Sequence, residues 1–186
     1  MKRLFVICLL VLLLVGCEKS DHSVNGVISL RNRVLQGKEC RFTSNVTADY
    51  GESTYTFKLA CIREQSGDMV LTVIDPESIS GITAKISRET GKLIFDDKVV
   101  AFALVADDQL TPICCPWLFM ESLLGGYIAA TGKADEGTRI QIDDSFSGVQ
   151  FSMDIWTGEN QQPTRAELIW NGRRILSMDI DDFEIV

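Results

Sequence analysis

The sequence predicts an α+β domain made mostly of antiparallel β-structure: one curved sheet of about ten strands, covered by a few helices. Three observations support this. Apolar and polar residues alternate with period two along most of the chain from Cys40 onward, which is typical of half-buried strands. Short turn signals join these segments into an antiparallel meander. Only two segments have helical spacing, and so few helices cover an apolar face best when the sheet curls around them.

The domain begins with a helix and a hairpin. Apolar residues at helical spacing over 27–35 predict a short amphipathic helix that Gly37 ends. Residues 40–48 and 55–61 then alternate as two strands around a turn at Tyr50-Gly51. A hairpin centred between positions 50 and 51 gives three facing pairs: Phe42–Leu59, Val46–Tyr55 and Cys40–Cys61. This register places the large apolar side chains on one face, so pairing and pattern agree.

The middle of the chain continues the meander and then changes to a helix. Four further strands are predicted at 69–74, 82–86, 93–95 and 99–105, which makes six strands within about 65 residues. Residues 106–116 are predicted as a loop. Helical spacing then returns over 117–127, weakened by Gly125-Gly126.

The C-terminal part returns to strands at 139–142, 149–156, 165–170 and 173–180. Asn171-Gly172 is a strong signal for a two-residue hairpin turn. A symmetric turn places Leu168 opposite Ile175, yet the better apolar face is formed by residues 176, 178 and 180. We therefore predict a bulge or a longer loop that shifts this register.

The N-terminus has the pattern of a lipoprotein signal. Residues 1–16 combine two basic residues with twelve consecutive apolar ones, which as a helix span about 18 Å and fall short of the ~30 Å core of a bilayer. The segment Leu14-Val15-Gly16-Cys17 resembles the bacterial lipobox, which predicts acyl chains such as palmitate on Cys17 and an anchor on the outer face of the cell membrane. Residues 17–25 are predicted as a lipidated tether, and residues 26–186 as a single domain.

Composition and missing motifs exclude several functions. Without Lys2 and Arg3 the chain has 16 basic and 26 acidic residues, a net charge near −10 that disfavours nucleic acid. The single histidine, His22, lies in the predicted tether, so most catalytic triads are excluded. The adjacent Asp pairs fall mainly at turns, and no redox, metal, calcium or nucleophile motif is present. We expect a protein that is not an enzyme and that needs no cofactor.

Three stretches carry a resemblance to a known family: YTFKLAC at 55–61, DPESISGI at 75–82, and WNGRRI at 170–175 with IDDF at 180–183. In these the chain is similar to Gram-positive lipoproteins whose domain resembles the LolA/LolB lipoprotein-carrier fold. The resemblance implies a half-barrel closed by helices over a hydrophobic cavity. It also implies that the protein carries or senses acyl chains, lipoproteins or glycolipids outside the cytoplasmic membrane.

This interpretation predicts a ligand pocket between the concave face of the sheet and the second helix. Its predicted lining residues are Phe42, Val46, Tyr55, Phe57, Leu59, Ile82, Ile86, Phe95, Trp117, Met120, Leu124, Phe151 and Met153. The second helix looks too short to fill the sheet, so we expect a void or a ligand beneath it. The alternative is a filled core in a non-catalytic module that docks onto an envelope or spore-germination protein. A large apolar cavity favours the carrier, and a filled core favours docking.

The cysteines outside the signal and lipobox suggest disulfides. The predicted hairpin places Cys40 beside Cys61 at a separation that a bridge can span. Cys114 and Cys115 are left as either a vicinal bridge or two thiols.

Overall fold

The computed structural model describes residues 21–186, apart from positions 89, 96, 97, 103, 104, 107, 108, 136, 147 and 159. The predicted signal at 1–16, the lipidation site Cys17 and the first residues of the predicted tether lie outside the described residues.

An open, curved antiparallel sheet of eleven strands forms the described part of the chain, together with two helices. The helices are α1 (Asp21–Gln36) and α2 (Cys115–Gly125). The first strands are β1 (Glu39–Asp49), β2 (Thr54–Glu64), β3 (Met69–Asp75), β4 (Thr83–Ile86), β5 (Gly91–Phe95) and β6 (Lys98–Phe102). A separate two-stranded ribbon pairs β7 (Val105–Ala106) with β8 (Gln109–Leu110). The last strands are β9 (Tyr127–Ala134), β10 (Gly137–Phe146), β11 (Val149–Thr157), β12 (Pro163–Trp170) and β13 (Arg173–Ile185).

The strand order is β6-β5-β4-β3-β2-β1-β13-β12-β11-β10-β9, so the fold prediction is confirmed. Two meanders, β1–β6 and β9–β13, join through the pairing of β1 with β13, where Val46 faces Met178. The sequence pattern did not predict this pairing of β1 with β13. Alternate residues of β1 are buried, from Cys40 to Ala48, and they mark the concave face.

The register of the first hairpin differs from the prediction by two residues. Phe42 faces Cys61, Val46 faces Phe57, and Cys40 faces Arg63. The turn is longer than predicted, because Tyr50 N–H donates to the carbonyl of Ser53 and the strands pair from Asp49 with Thr54. A shift of two residues preserves the face of every side chain, so the pattern alone could not detect it.

The second hairpin matches the prediction. Trp170 faces Arg173 across a two-residue turn in which Asn171 and Gly172 both have positive φ, as such turns require. The pairing then slips, because Ile169 faces Arg174 whereas Leu168 faces Leu176. The expected bulge therefore lies within the first residues after the turn.

Both helices depart from their predicted bounds. Residues 21–25, predicted as tether, are the beginning of α1. α2 begins at Cys115 and ends at Gly125, and Tyr127 opens β9 instead of closing the helix. The predicted loop at 106–116 includes β8 and a 3-10 turn at Pro112–Cys114.

The core lies between the concave face and the helices. α2 packs against β10 and β13, while α1 packs against β9 and α2. The ring of Phe42 contacts Phe119 edge-on at 5.9 Å and stacks with Phe183 at 5.7 Å. Each such fully buried side chain stabilises the fold by about 1.5–3 kcal/mol before entropic costs. Neither described helix combines the length and apolarity needed to cross a membrane.

Candidate functional site

The predicted pocket is filled by protein side chains. Trp117, Phe119 and Met120 of α2 are at most 2% exposed, and Val27 and Leu30 of α1 are equally buried. The predicted void beneath α2 is therefore wrong. That prediction considered only α2 as cover for the concave face, whereas α1 also covers it. α1 covers the sheet with the apolar face of an amphipathic helix, and eight of the eleven residues of α2 are buried.

The thirteen predicted pocket residues divide into four groups. Six are fully buried core residues that line none of the clefts described below: Phe42, Val46, Leu59, Ile86, Met120 and Met153. Two are half-buried and pack against that core: Ile82 and Leu124. Four line surface clefts: Trp117, Phe151, Tyr55 and Phe57. Phe95 belongs to β5, but its side chain lies outside the described residues.

The predicted Cys40–Cys61 disulfide is not formed. Both residues are buried free thiols, and the two-residue shift places Arg63 opposite Cys40 and Phe42 opposite Cys61. The Cys61 thiol lies 3.4 Å from the Ser44 hydroxyl. Burial raises the pKa of both Cys40 and Cys61 to about 12, so these thiols are protonated and poorly nucleophilic at neutral pH.

The first cleft lies where two distant parts of the curved sheet approach each other over α2. We call it the seam notch: Arg88, Trp117, Leu118, Glu121, Gly125, Asp144, Ser145, Phe146 and Phe151. Its volume is about 120 Å³. Arg88, between β4 and β5, reaches the carboxylate of Glu121 at 3.5 Å. Trp117 meets Phe146 edge-on at 5.2 Å, and these rings form the apolar wall with Phe151.

A wider polar cleft continues from the seam notch, with which it shares Gly125, Asp144, Ser145 and Phe151. Its volume is about 690 Å³. The other lining residues come from the start of β9 and the ends of β10 to β13: Gly126, Tyr127, Asp143, Gln150, Ser152, Ile169, Asn171 and Gly172. Hydroxyl, amide and carboxylate groups dominate this lining, and Tyr127 at its mouth is 75% exposed.

Two polar groups of residues that line the notch have distinct surroundings, and one of these residues, Asp144, also lines the polar cleft. Asp144 accepts a hydrogen bond from the Ser122 hydroxyl at 2.8 Å, which ties α2 to β10. Trp117 Nε1 is buried, and no acceptor among the described residues reaches it. A buried N–H without a partner costs free energy.

A second cleft, the tyrosine cleft, lies beside the turn of the first hairpin. It is lined by Tyr50, Glu52, Ser53, Tyr55, Phe57 and Pro112, with a volume of about 660 Å³. The Tyr50 hydroxyl donates to the carbonyl of Leu110 at 2.5 Å, which fixes one wall. Burial raises the pKa of Tyr50 to about 12. Tyr55, at 49% exposure, leaves this cleft broadly open to solvent.

We call the seam notch and the polar cleft together the seam. It combines an aromatic wall with polar groups, as a ligand with one apolar and one polar end requires. Aromatic rings form one wall of the narrow notch, beside the charged groups of Arg88, Glu121 and Asp144, whereas hydrogen-bonding groups line the wide cleft. Within the described ranges, no three His, Cys, Asp or Glu side chains converge on a position that could hold a metal ion.

The polar half of this site was absent from the sequence-based prediction. Asp144, Ser145 and Gln150 belong to the β10–β11 hairpin and Asn171 to the β12–β13 turn, and only the pairing of β11 with β12 brings the two segments together. Asp143-Asp144 is one of the adjacent Asp pairs, for which the sequence predicts solvated carboxylates. The alternating pattern of this strand does not indicate that the Asp144 carboxylate accepts a hydrogen bond from Ser122, a buried residue of α2.

Several solved structures are similar to this chain at low identity. An uncharacterized conserved protein from Thermus thermophilus is 12% identical, with 88% of each chain covered and a TM-score of 0.49. A LolA superfamily protein from Nitrosomonas europaea is 11% identical over 86% of this chain and 93% of that one, with a TM-score of 0.44. The lipoprotein LppX from Mycobacterium tuberculosis is 8% identical over 86% of this chain and 94% of that one, with a TM-score of 0.36.

No family model matches the chain, and no curated protein matches it. LolA-superfamily and lipoprotein folds are thus among the structures that this chain is similar to. At these identities and TM-scores the likeness carries no argument about what the chain binds. The fold assignment depends on the strand order described above.

Proposed function

We propose that this chain is a membrane-anchored extracytoplasmic lipoprotein, without catalytic activity, that binds a lipid or acylated ligand at the seam. The observation that carries the proposal is the continuity of an aromatic notch with a polar cleft, through four shared residues. The apolar end of a ligand fits against Trp117 and Phe151, and its polar end fits among the hydroxyl and amide groups outside.

The size of the notch limits how the ligand binds. A volume of about 120 Å³ is below the ~300–1,000 Å³ typical of small-molecule sites, so only part of an acyl chain enters it. Each methylene that leaves water contributes about 0.8 kcal/mol. The polar cleft has the volume for a headgroup, and the side-chain amides of Gln150 and Asn171 in its lining supply donors for an ester or carboxyl oxygen.

Binding is tested with two serine-to-tryptophan variants that are matched in chemistry and exposure. Ser145 lines the seam and Ser53 lines the tyrosine cleft, and both are exposed. In the chain from residue 18 onward, Ser145→Trp should weaken binding of dansyl-undecanoic acid by about tenfold, because the indole fills the junction of notch and polar cleft. Ser53→Trp should leave binding within about twofold.

Fluorescence titration gives the affinities, and circular dichroism confirms that both variants are folded. If Ser53→Trp alone weakens binding, the tyrosine cleft is the site. If neither variant changes binding, or if the parent chain binds no acyl probe, the carrier proposal is wrong.

The proposed anchor is tested separately at Cys17. Cys17→Ser should block acylation and alter processing of the precursor, because serine cannot form the thioether that holds the lipid. Metabolic labelling with a palmitate analogue and membrane fractionation measure both effects. A Cys17→Ser protein that remains fully processed and membrane-bound would contradict the lipobox prediction.

The filled interior favours a second candidate function. A half-barrel whose concave face is occupied by α1 and α2 suits a docking module, which uses its surface instead of an internal cavity. Such a module would bind an envelope protein and leave the acyl probe unbound.

A further inference from the structure

The two edges of the sheet differ in how their backbone is protected. At one edge, β6 has apolar side chains on both faces, and Val99 and Val100 are each 60% exposed. Its pairing with β5 is regular, without a bulge, from Gly91–Phe102 to Phe95–Lys98. Among the described residues no strand pairs with the outer side of β6.

At the other edge, β9 has the usual protections against pairing with another chain. α1 packs against it, and a bulge interrupts its pairing with β10 between Gln141 and Ile142. Its sequence YIAATGKA is rich in small residues. The contrast means that exposure of β6 is a property of that edge and not of the sheet as a whole.

We propose that β6 is a docking strand for an extended segment of a partner protein, which adds to the sheet as a twelfth strand. The segment would carry alternating apolar residues that cover Val100 on one face of the sheet and β-branched threonines that cover Val99 on the other, with carboxylates beside them. This surface is separate from the seam, so the proposal does not depend on acyl binding there.

Backbone chemistry argues for a peptide and against a lipid surface. A strand edge presents rows of unpaired N–H and C=O groups, and another strand supplies both complements. Lipid hydrocarbon supplies neither, and each backbone group buried there without a partner costs several kcal/mol.

Charge argues for a partner other than a second copy. β5 and β6 contain Lys92 and Lys98 and no carboxylate. Asp96 and Asp97, which join the two strands in sequence, lie outside the described residues. A second copy would bring the same lysines to the junction, where like charges repel each other. A segment flanked by carboxylates complements the lysines instead.

The test uses the full chain in phosphatidylcholine nanodiscs and a labelled probe peptide, Glu-Glu-Val-Thr-Val-Thr-Val-Glu-Glu. Fluorescence anisotropy should detect binding, and hydrogen exchange should show slower exchange of the amides of residues 98–102. The same peptide with N-methyl groups on alternate central amides should not bind, because it cannot form the ladder.

Matched variants at the two edges locate the site. Val100→Asp should weaken binding by at least about tenfold, and Val99→Asp, on the other face of the strand, should act likewise. Ala130→Asp places the same charge on exposed β9 and should leave affinity within about twofold. Both Val variants change exposed residues, and a thermal melt confirms that they fold.

Four results would overturn the proposal: no binding of the probe, equal binding of the N-methylated peptide, equal losses from Val100→Asp and Ala130→Asp, or protection of residues 98–102 without peptide. In the last case, protection that requires phosphatidylglycerol in the nanodisc identifies a membrane surface. Protection that rises with protein concentration identifies a second copy.

Discussion

One row of side chains across the concave face shows how the two ends of the sheet differ. Cross-strand pairing places these residues in line: Phe42, Cys61, Leu71, Ala84, Leu93 and Val100. The first four are buried, Leu93 is half-buried, and Val100 is 60% exposed. All six are apolar, so composition does not distinguish a covered strand from an uncovered one. What differs is whether other elements lie above the row.

The largest expected effect is in the covered part of this row. Phe119→Ala should lower the free energy of unfolding by about 3–5 kcal/mol, because it removes the ring that contacts Phe42 and leaves a cavity between α2 and β1. Val100→Ala should change it by no more than about 0.5 kcal/mol, since the side chain is mostly exposed. Chemical denaturation measures both. Similar losses would mean that β6 is covered in solution.

A smaller effect is expected at the junction of α2 and β9, where two adjacent glycines differ. A Cβ at Gly126 would lie 2.8 Å from the carbonyl oxygen of Ser122 and closer still to Ile142, whereas a Cβ at Gly125 meets nothing within 4 Å. Gly126→Ala should therefore destabilise the fold by about 1–3 kcal/mol. Gly125→Ala serves as the matched control and should be near neutral. Equal thermal shifts would contradict the close approach of helix and strand described here.

The smallest effect concerns the buried thiols at alkaline pH. The pKa of Cys61 is raised from 9.0 to about 12 in the folded protein, mainly by burial. The unfolded thiol loses its proton first, so the contribution to stability is constant below pH 9 and is lost as the pH rises toward 12. At pH 10 one such thiol lowers the free energy of unfolding by about 1 kcal/mol.

Cys61→Ala should accordingly reduce the pH dependence of the unfolding free energy above pH 9, whatever its effect at pH 7. Urea titrations of parent and variant at pH 7, 9 and 10 measure the difference. An unchanged slope would indicate that Cys61 is ionised, exposed or bridged. Peptide mapping without reductant then distinguishes a disulfide from the other two.

The sequence by itself determined the class of fold, the location of most strands and the face of each strand that is buried. Alternation is a local property: Phe42 and Val46 share a face wherever the strand pairs. The turn at Asn171-Gly172 was equally local, since two residues with positive φ define it. Cys17 and the residues before it stay a prediction from the sequence.

Only the tertiary structure decided the register of the first hairpin, the joining of β1 to β13, the filling of the concave face and the composition of the seam. A two-residue shift leaves every side chain on the same face, so pattern cannot choose between Cys40 opposite Cys61 and Cys40 opposite Arg63. Whether an apolar face meets a helix or water depends on long-range packing. That is why Trp117 fills the core, whereas Val100, equally apolar, lies at an open edge.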